Sequence, residues 1–482
     1  MKHDHAWKAT EVAGISAALL KWYDANRRCL PWRGDSLPYL VRVHERDAGY
    51  NAPNVVTPYA TWVSEIMCQQ TRVDTVVTYY TKWMDTFPTI QSLANADPDQ
   101  VNAVWAGLGY YRRARMLHQG AQFVMEKFNG DMPRDVDSLK TIPGIGPYTA
   151  GAIASVAFGQ VEPLVDGNVI RVVSRLRAIS GDPNHKPLTK HCWESGTKLI
   201  DAARPGDFNQ ALMELGATVC SIQTPSCASC PVRDFCHALA QTKNEDSSKQ
   251  STVADCSICD LTRLDEWGVV GGAVTRFPLK TRKKAPRDEV VNVAVVYHQP
   301  VGETVDSRRF LMFKRAQAGL LAGQWEFLTF QVEESDTIPD YSSRMVWAKA
   351  DISNALNVPP DQLEALIVHR QDLGELVHVF SHVKHHMGVE EVQVALPDGA
   401  SVPVESSTMR WMTCDDMAEV GITTGMKKVL ALVTKEASKV RARNERGAAS
   451  ARKVRAKTQP DYTKPITSFF HLAAKPSCND PK

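Results

Sequence analysis

Leu139-Lys-Thr-Ile-Pro-Gly-Ile-Gly-Pro-Tyr-Thr-Ala-Gly-Ala-Ile-Ala-Ser-Val-Ala-Phe-Gly159, continued after three residues by Pro163-Leu-Val-Asp-Gly-Asn-Val-Ile-Arg171, is the stretch that decides the fold. Leu139 and Ile142 have the spacing of the last apolar positions of an amphipathic helix. Pro143-Gly144-Ile145-Gly146 then predicts a sharp turn, because glycine reaches left-handed backbone angles without steric cost. Ala150, Ile153, Ala154 and Ala157 restart a helical spacing behind Thr149. A helix that starts after a glycine turn aims unpaired backbone N–H groups outward, which suits a phosphate. A tight turn between two packed helices accounts for the Pro-Gly-Ile-Gly string equally well, and the neighbouring motifs decide between them.

The chain has 482 residues, 43% hydrophobic and 23% charged, as expected of a soluble globular protein of two or three domains. A formal net charge of +2 favours no class of partner by itself. No apolar run approaches the ~20 residues of a membrane span. Met1-Lys-His-Asp-His-Ala-Trp-Lys8 lacks the apolar core of a secretory signal, so neither export nor a membrane anchor is expected. Eleven cysteines then point to metal binding rather than to a disulfide framework.

Residues 11–33 predict a helix through Val12, Ile15, Leu19 and Trp22, ending in Leu30-Pro31-Trp32-Arg33. Residues 34–57 carry Gly, Pro and Asn and predict a loop. Tyr59 is expected to open one long amphipathic helix, with Trp62, Ile66, Val73, Val76, Val77, Tyr80 and Trp83 on its buried side. Glu65 and Gln69-Gln70-Thr71 ride on that helix. Helical spacing continues to about residue 238, and nothing in this half alternates as a strand does. A polar run from 240 to 262 marks a linker. Beyond it, Val291–Val296, Phe310–Phe313 and Val389–Val394 predict strands, and 341–356 and 415–434 predict helices. The expected organisation is an all-α domain over 1–239, a linker over 240–288, an α+β domain over 289–436, and a basic, disordered tail over 437–482.

Cys220-x6-Cys227-x2-Cys230-x5-Cys236 offers four thiolates within 17 positions, enough to wrap one tetrahedral centre. Spacing alone leaves zinc ahead of iron. The 6-2-5 pattern nevertheless resembles the 4Fe-4S loop of the endonuclease III superfamily, and it ends a helical domain here as it does there. The glycine turn upstream is similarly placed to that superfamily's helix-hairpin-helix. Together they imply a structural 4Fe-4S cluster and a hairpin, centred on Gly144 and Gly146, that holds DNA backbone.

Trp62-Val-Ser-Glu-Ile-Met-Cys-Gln-Gln-Thr71 and Val165-Asp-Gly-Asn-Val169 resemble signature blocks of the adenine DNA glycosylases, the MutY family. Gly107-Leu-Gly-Tyr-Tyr111, Arg204-Pro-Gly-Asp-Phe-Asn-Gln210 and Gly319-Leu-Leu-Ala-Gly-Gln-Trp-Glu-Phe327 extend the likeness over roughly 11–435. The resemblance implies that Glu65 protonates adenine N7 and that Asp166 stabilises the sugar oxocarbenium ion, with or without a covalent sugar intermediate. This is the two-carboxylate logic of glycoside hydrolysis. Asn168 would orient Asp166, and Tyr148 would lie close to the reacting sugar. Gln70 and Tyr110, with Gln69 and Thr71 beside them, would fill or wedge the base stack when adenine flips out. Related bifunctional enzymes have lysine at position 148 to attack the sugar; tyrosine forms no Schiff base, which implies a monofunctional enzyme. Cys68 stands where the family usually has Leu, and Ile170 where bacterial members often have Lys. A bifunctional pyrimidine-lesion enzyme of the endonuclease III type is opposed by Tyr148 and by the second domain. A non-catalytic lesion binder is opposed by intact Glu65 and Asp166.

Cys256-x2-Cys259 is half of a zinc site. Animal relatives carry zinc in this linker with a third upstream cysteine and an N-terminal histidine. Here His5 (or His3) is the implied histidine, no cysteine lies between 236 and 256, and the fourth ligand is unassigned. The second domain resembles a Nudix fold without the magnesium-binding Arg-Glu-x-x-Glu-Glu helix, so pyrophosphate hydrolysis is not expected. Phe380-Ser381-His382 matches the family's lesion-reading loop, implying DNA with adenine opposite 8-oxoguanine as the substrate. Lys439–Lys457 is basic, suiting nucleic acid, an import receptor or only solvent. Ile466, Phe469 and Phe470 share one face of a helical turn and resemble the box that docks repair proteins on the sliding clamp, with Thr463 in place of the usual Gln. A monomeric nuclear protein with a mitochondrial fraction is the accompanying expectation.

Overall fold

The computed structural model describes residues 5–34, 56–243, 256–263, 274–282, 285–299, 307–316, 319–332, 337–380, 382–395 and 406–435. Ser381 and the clamp-box residues Ile466, Phe469 and Phe470 lie outside the described residues, as does the tail from 436 onward. The chain divides into a compact unit over Met1–Lys427 and a second over Lys428–Lys482, of which only the end of one helix is described. No helix among the described residues is long and apolar enough to cross a membrane.

Among the described residues the elements of the first half are all helical: α1 Ala9–Asn26, α2 Pro58–Cys68, α3 Val73–Thr86, α4 Ile90–Ala94, α5 Pro98–Trp105, α6 Arg112–Phe128, α7 Val136–Leu139, α8 Pro147–Ala152, α9 Gly167–Leu176, α10 Lys186–Leu199, α11 Pro205–Glu214 and α12 His237–Lys243. Two cores result. One gathers Trp62, Trp83, Trp105, Leu117, Leu139 and Ile142 from α2 to the hairpin. The other gathers Leu19, Tyr23, Val172, Val173, Leu199 and Phe208, so that α1 closes against α9, α10 and α11. Glu65 sits on the first core and Asp166 at the edge of the second.

Three expectations need correction here. The long helix from Tyr59 is two helices, because Gln70 takes φ +58° and the chain turns over Gln69–Arg72. Helix 11–33 ends at Asn26, and Pro31–Arg33 forms a separate 3-10 turn. At the hairpin only Gly144 is left-handed, at φ +86°, while Gly146 is extended at φ −95° and N-caps α8. The helix therefore starts at Pro147, whose fixed φ suits a first helical position, and not behind Thr149. It then widens into a π-helical turn over Ile153–Ala157.

Among the described residues the second half holds a six-stranded mixed sheet ordered β4-β5-β1-β3-β2-β6, formed by β1 Arg287–His298, β2 Arg309–Lys314, β3 Trp325–Gln331, β4 Ile367–Val379, β5 Val383–Val394 and β6 Met409–Met412. β1 runs parallel to β5 and antiparallel to β3, and is nearly continuously buried, as a central strand covered on both faces should be. Three strands, β3, β4 and β6, are not signalled by the sequence pattern. β4 is half exposed and carries two register shifts and Gly374, which blur the alternation. Helix α13, Tyr341–Leu356, packs Ala348, Ile352 and Leu356 on the sheet, followed by α14, Pro360–Leu366. The expected helix 415–434 is broken by Gly421 at φ +71°, leaving α15, Cys414–Val420, and a second helix opening at residue 424.

The two halves meet on α5. Lys314 Nζ bonds Asp99 Oδ1 at 2.7 Å, and Arg410 Nη1 lies 3.6 Å from Asp99 Oδ2. Leu321 packs into the core of the helical half. Gly421 lies so close to Ala103 and Asn102 that a Cβ would be 3.0 Å from either backbone.

Candidate active site and cysteine centres

Glu65 projects from α2 one turn before the chain breaks. Tyr148, on the first turn of α8, donates its hydroxyl to Glu65 Oε2 and also lies 3.3 Å from Met213 Sδ. Burial pushes the Glu65 carboxyl up to about 7; the Asp166 carboxylate adds to this, while the Tyr148 bond and the Arg33 guanidinium oppose it. Glu65 is therefore largely protonated just below neutral pH. Burial and both carboxylates hold the Tyr148 hydroxyl well above its ordinary value, so it remains a donor. The Cys68 thiol, three residues after Glu65, is pushed up to about 12 by burial and by Glu65, and stays neutral.

Asp166 is the N-cap of α9: its Oδ1 accepts from the Val169 N–H at 2.7 Å. Its Oδ2 accepts from Asn168 Nδ2 at 2.7 Å. Burial raises the Asp166 carboxyl, and these two bonds favour its ionised form. A raised acid and a hydrogen-bonded carboxylate thus lie close enough for the charge of one to act on the other.

The turn after α2 is held by a residue that no sequence motif singles out. Arg113, buried on α6, donates to the carbonyl oxygens of Met67 at 2.8 Å and Gln69, and to Gly109 at 3.0 Å and Thr71 Oγ1 at 3.1 Å. Its guanidinium also lies over the Tyr110 ring, 5.4 Å from the centroid. Gln70 and Tyr110 are both left-handed, at φ +58° and +49°, and both are exposed. Non-glycine residues in that region store backbone strain and cluster at functional sites. The inward-facing arginine on an apolar helix face, beside Ala114, Leu117 and Ala121, was the available signal.

Gly144 cannot be replaced without shifting Met116, whose Cβ would be 2.6 Å from an added Cβ. Gly146 faces open space, with nothing within 4 Å of a Cβ position. The hairpin is therefore packed on one side and open on the other.

Cys220, Cys227, Cys230 and Cys236 line a single cavity whose other walls are largely apolar, among them Val172, Leu215, Val219 and Val274. Burial raises the thiols of Cys227, Cys236 and Cys230, the last to about 12, so bare thiolates are disfavoured without a cation between them. Among the described residues, only His5, Cys256 and Cys259 bring three ligand atoms within 4.8 Å of one another. The loop cysteines are spread more widely. Thiolates on one zinc, bonded at about 2.3 Å, would be less than about 4 Å apart. The donor set and its spread suit a polynuclear centre better than a single ion.

The second cysteine set is tighter. His5 Nδ1 lies 2.9 Å from the Arg177 carbonyl oxygen, which only accepts, so Nδ1 carries the proton and Nε2 the lone pair. Nε2 lies 3.4 Å from both Cys256 Sγ and Cys259 Sγ. An imidazole oriented by a carbonyl, with its bare nitrogen facing two thiols, has the outer support typical of a metal ligand.

In the sheet half, the Phe380 N–H donates to the Val383 carbonyl at 2.7 Å where β4 and β5 come together, and His382 is exposed. The half-buried Phe380 ring lies edge-on between His378 and His385, at 4.6 and 4.9 Å. Helix α13 carries one carboxylate, Asp351, too few to assemble a magnesium site of the Nudix hydrolase kind.

Comparison with known proteins agrees with this architecture. Residues 63–198 match the family of HhH-GPD superfamily base excision DNA repair proteins, and residues 301–432 match the NUDIX domain. The chain is 39% identical over 430 residues to the adenine DNA glycosylase of Mus musculus, covering 87% of this chain and 78% of that protein. It is 39% identical over 433 residues to the Homo sapiens adenine DNA glycosylase, covering 87% and 74% of the two chains. For the Schizosaccharomyces pombe adenine DNA glycosylase, identity is 36% over 426 residues, 87% of this chain and 89% of that protein.

Proposed function

Because the chain belongs to the adenine DNA glycosylase family, we propose that it hydrolyses the N-glycosidic bond of adenine mispaired with 8-oxoguanine or guanine, as a monofunctional base-excision enzyme. The observation that carries this reading is the Glu65–Tyr148–Asp166 arrangement: an acid with a carboxyl pushed up to about 7, held by a tyrosine, beside a capped carboxylate. Glu65 delivers a proton to the leaving base. Asp166, oriented by Asn168, offsets the positive charge that develops on the sugar. Tyr148 positions the acid and supplies no amine, so the product is an abasic site in an uncut strand. Gln70 and Tyr110, held in strained conformations at the end of one Arg113 network, are placed to enter the stack as the adenine leaves it, with Gln69 and Thr71 supporting them. Single-turnover excision of adenine opposite 8-oxoguanine tests the reading. Strand breaks should appear only after hot alkali; no excision, or breaks without alkali, would reject it.

The wide spacing of Cys220, Cys227, Cys230 and Cys236 supports a 4Fe-4S cluster, which would supply a cross-link that shapes the loop. Iron analysis should find about four irons per chain. His5, Cys256 and Cys259 would hold a zinc ion that pins the linker to the helical domain.

Adenine is a normal base, so the error must be recognised on the opposite strand. We assign that recognition to Phe380, Ser381 and His382, because a hydroxyl both donates and accepts, as the altered edge of 8-oxoguanine requires. Phe380→Ala with Ser381→Ala should reduce the preference for 8-oxoguanine over guanine opposite adenine. Equal losses on both would remove the assignment. Ile466, Phe469 and Phe470 would dock a sliding clamp, and a 458–475 peptide tests this directly. The basic segment 439–457 suits nuclear import, with a mitochondrial fraction and a monomeric state completing the proposal.

A further inference from the structure

We propose that His191 is the fourth ligand of the metal site formed by His5, Cys256 and Cys259, making it a Cys2His2 zinc site. The inference rests on the zinc reading of those three residues and adds the missing donor. The chain has no cysteine between 236 and 256, and Cys236 belongs to the other loop. His191 lies on α10, with its ring centroid 6.3 Å from that of His5 and the two rings edge-on at 64°. Its Nε2 is buried and makes no hydrogen bond, although a buried imidazole nitrogen is normally satisfied.

The helix places that nitrogen by contacts on either side of it. Leu188 and Ser195 are three residues before and four after His191, on the same helical face. Gly181 packs between Leu188 and the linker turn: a Cβ on it would lie 3.1 Å from both Leu188 Cδ2 and the carbonyl oxygen of Ile258, a residue between the two cysteines. Ser195 Oγ accepts from Trp7 Nε1 at 2.9 Å, which fixes the segment two residues after His5. The face that carries His191 therefore runs from the cysteine turn to the N-terminal histidine. Two imidazoles on one tetrahedral zinc have centroids about 5 Å apart, so the two rings stand only about 1 Å beyond the separation that a shared ion requires. Water as the fourth ligand would leave the buried Nε2 unexplained.

Zinc-edge X-ray absorption on the full chain is the test. It should count two sulfurs at about 2.3 Å and two nitrogens at about 2.0–2.1 Å. His191→Cys should retain zinc and change the count to three sulfurs and one nitrogen. His191→Ala should weaken zinc retention against a chelator by at least about tenfold, the loss seen even for residues that only orient a ligand. Circular dichroism melting of each variant separates an unfolded protein from a missing ligand. A count that stays at two sulfurs in folded His191→Cys, or unchanged retention in His191→Ala, overturns the assignment of His191 alone. A wild-type chain that binds no zinc overturns the three-residue reading beneath it.

Discussion

Arg171 joins Asn168 to the cysteine loop: its Nη2 donates to Asn168 Oδ1 at 2.8 Å while its Nε donates to the Cys220 carbonyl oxygen at 2.8 Å. Asn168 in turn donates to Asp166, so an unbroken chain of hydrogen bonds links the first loop cysteine to the Asp166 carboxylate. Arg175, one turn further along α9, reinforces it by donating to Cys220 Sγ at 3.2 Å and to the Ser221 carbonyl at 2.6 Å. The loop is thus more than a remote structural element. Its position sets the aim of Asn168.

Arg171→Leu should therefore slow base excision by about ten- to a hundredfold, the range found when an orienting partner is removed. Gly216→Ala should do the same by a different route, because its Cβ would fall 2.6 Å from Asn168 Cβ. Single-turnover rates measured with saturating enzyme separate this from weaker DNA binding. Full activity in either variant would show that Asn168 does not need this support.

The rate should depend on pH with a limb set by Glu65. The acid acts when protonated, so the rate should fall as pH rises through about 7. Tyr148→Phe removes a donor that favours the ionised carboxylate, so the limb should move to higher pH even if the maximum rate drops. Asp166 must be ionised, and burial raises its carboxyl above the ordinary value, so a second loss is expected on the acid side. The two limbs belong to the pair, since each carboxylate influences the other.

Glu65→Gln should abolish excision and stabilise the protein at alkaline pH. A carboxyl raised in the folded state contributes its stability at low pH and loses it as pH rises through the folded value. The shift from 4.5 to about 7 corresponds to a gain for the neutral amide of roughly 3 kcal/mol at pH 8 and under about 1 kcal/mol at pH 5. Thermal melts of both proteins at the two pH values check this. An equal difference at both would show that the ionised form carries no burial penalty.

Asp99→Ala should loosen the sheet half from α5. It leaves Lys314, 15% exposed, without its carboxylate and strips Arg410 of the same partner, at a cost of about 1–3 kcal/mol. Asp137→Ala removes an exposed pair with Lys140 and should change stability by less than about 1 kcal/mol. Comparing their melts, and their preference for 8-oxoguanine over guanine opposite adenine, shows whether this contact serves recognition.

The amino-acid sequence determined the order and class of the halves, because periodicity is local: the apolar spacing of α1, α6 and α13 and the branched run of β1 can each be read within one element. The cysteine spacing, the glycine hairpin and the two carboxylate blocks were legible for the same reason. What only the tertiary structure decided are relations between distant segments. Tyr148 reaches Glu65 across 83 positions, and Arg171 reaches Cys220 across 49. The break at Gln70 was illegible because its cause lies on another helix: Arg113 competes for carbonyls that a continuous α2–α3 would have used internally. The wide spread of the loop cysteines and the tight set at His5 follow from packing, since spacing along a chain limits reach but does not set distance. The Glu65 shift belongs to the same category, for desolvation exists only once a core has closed around the carboxyl.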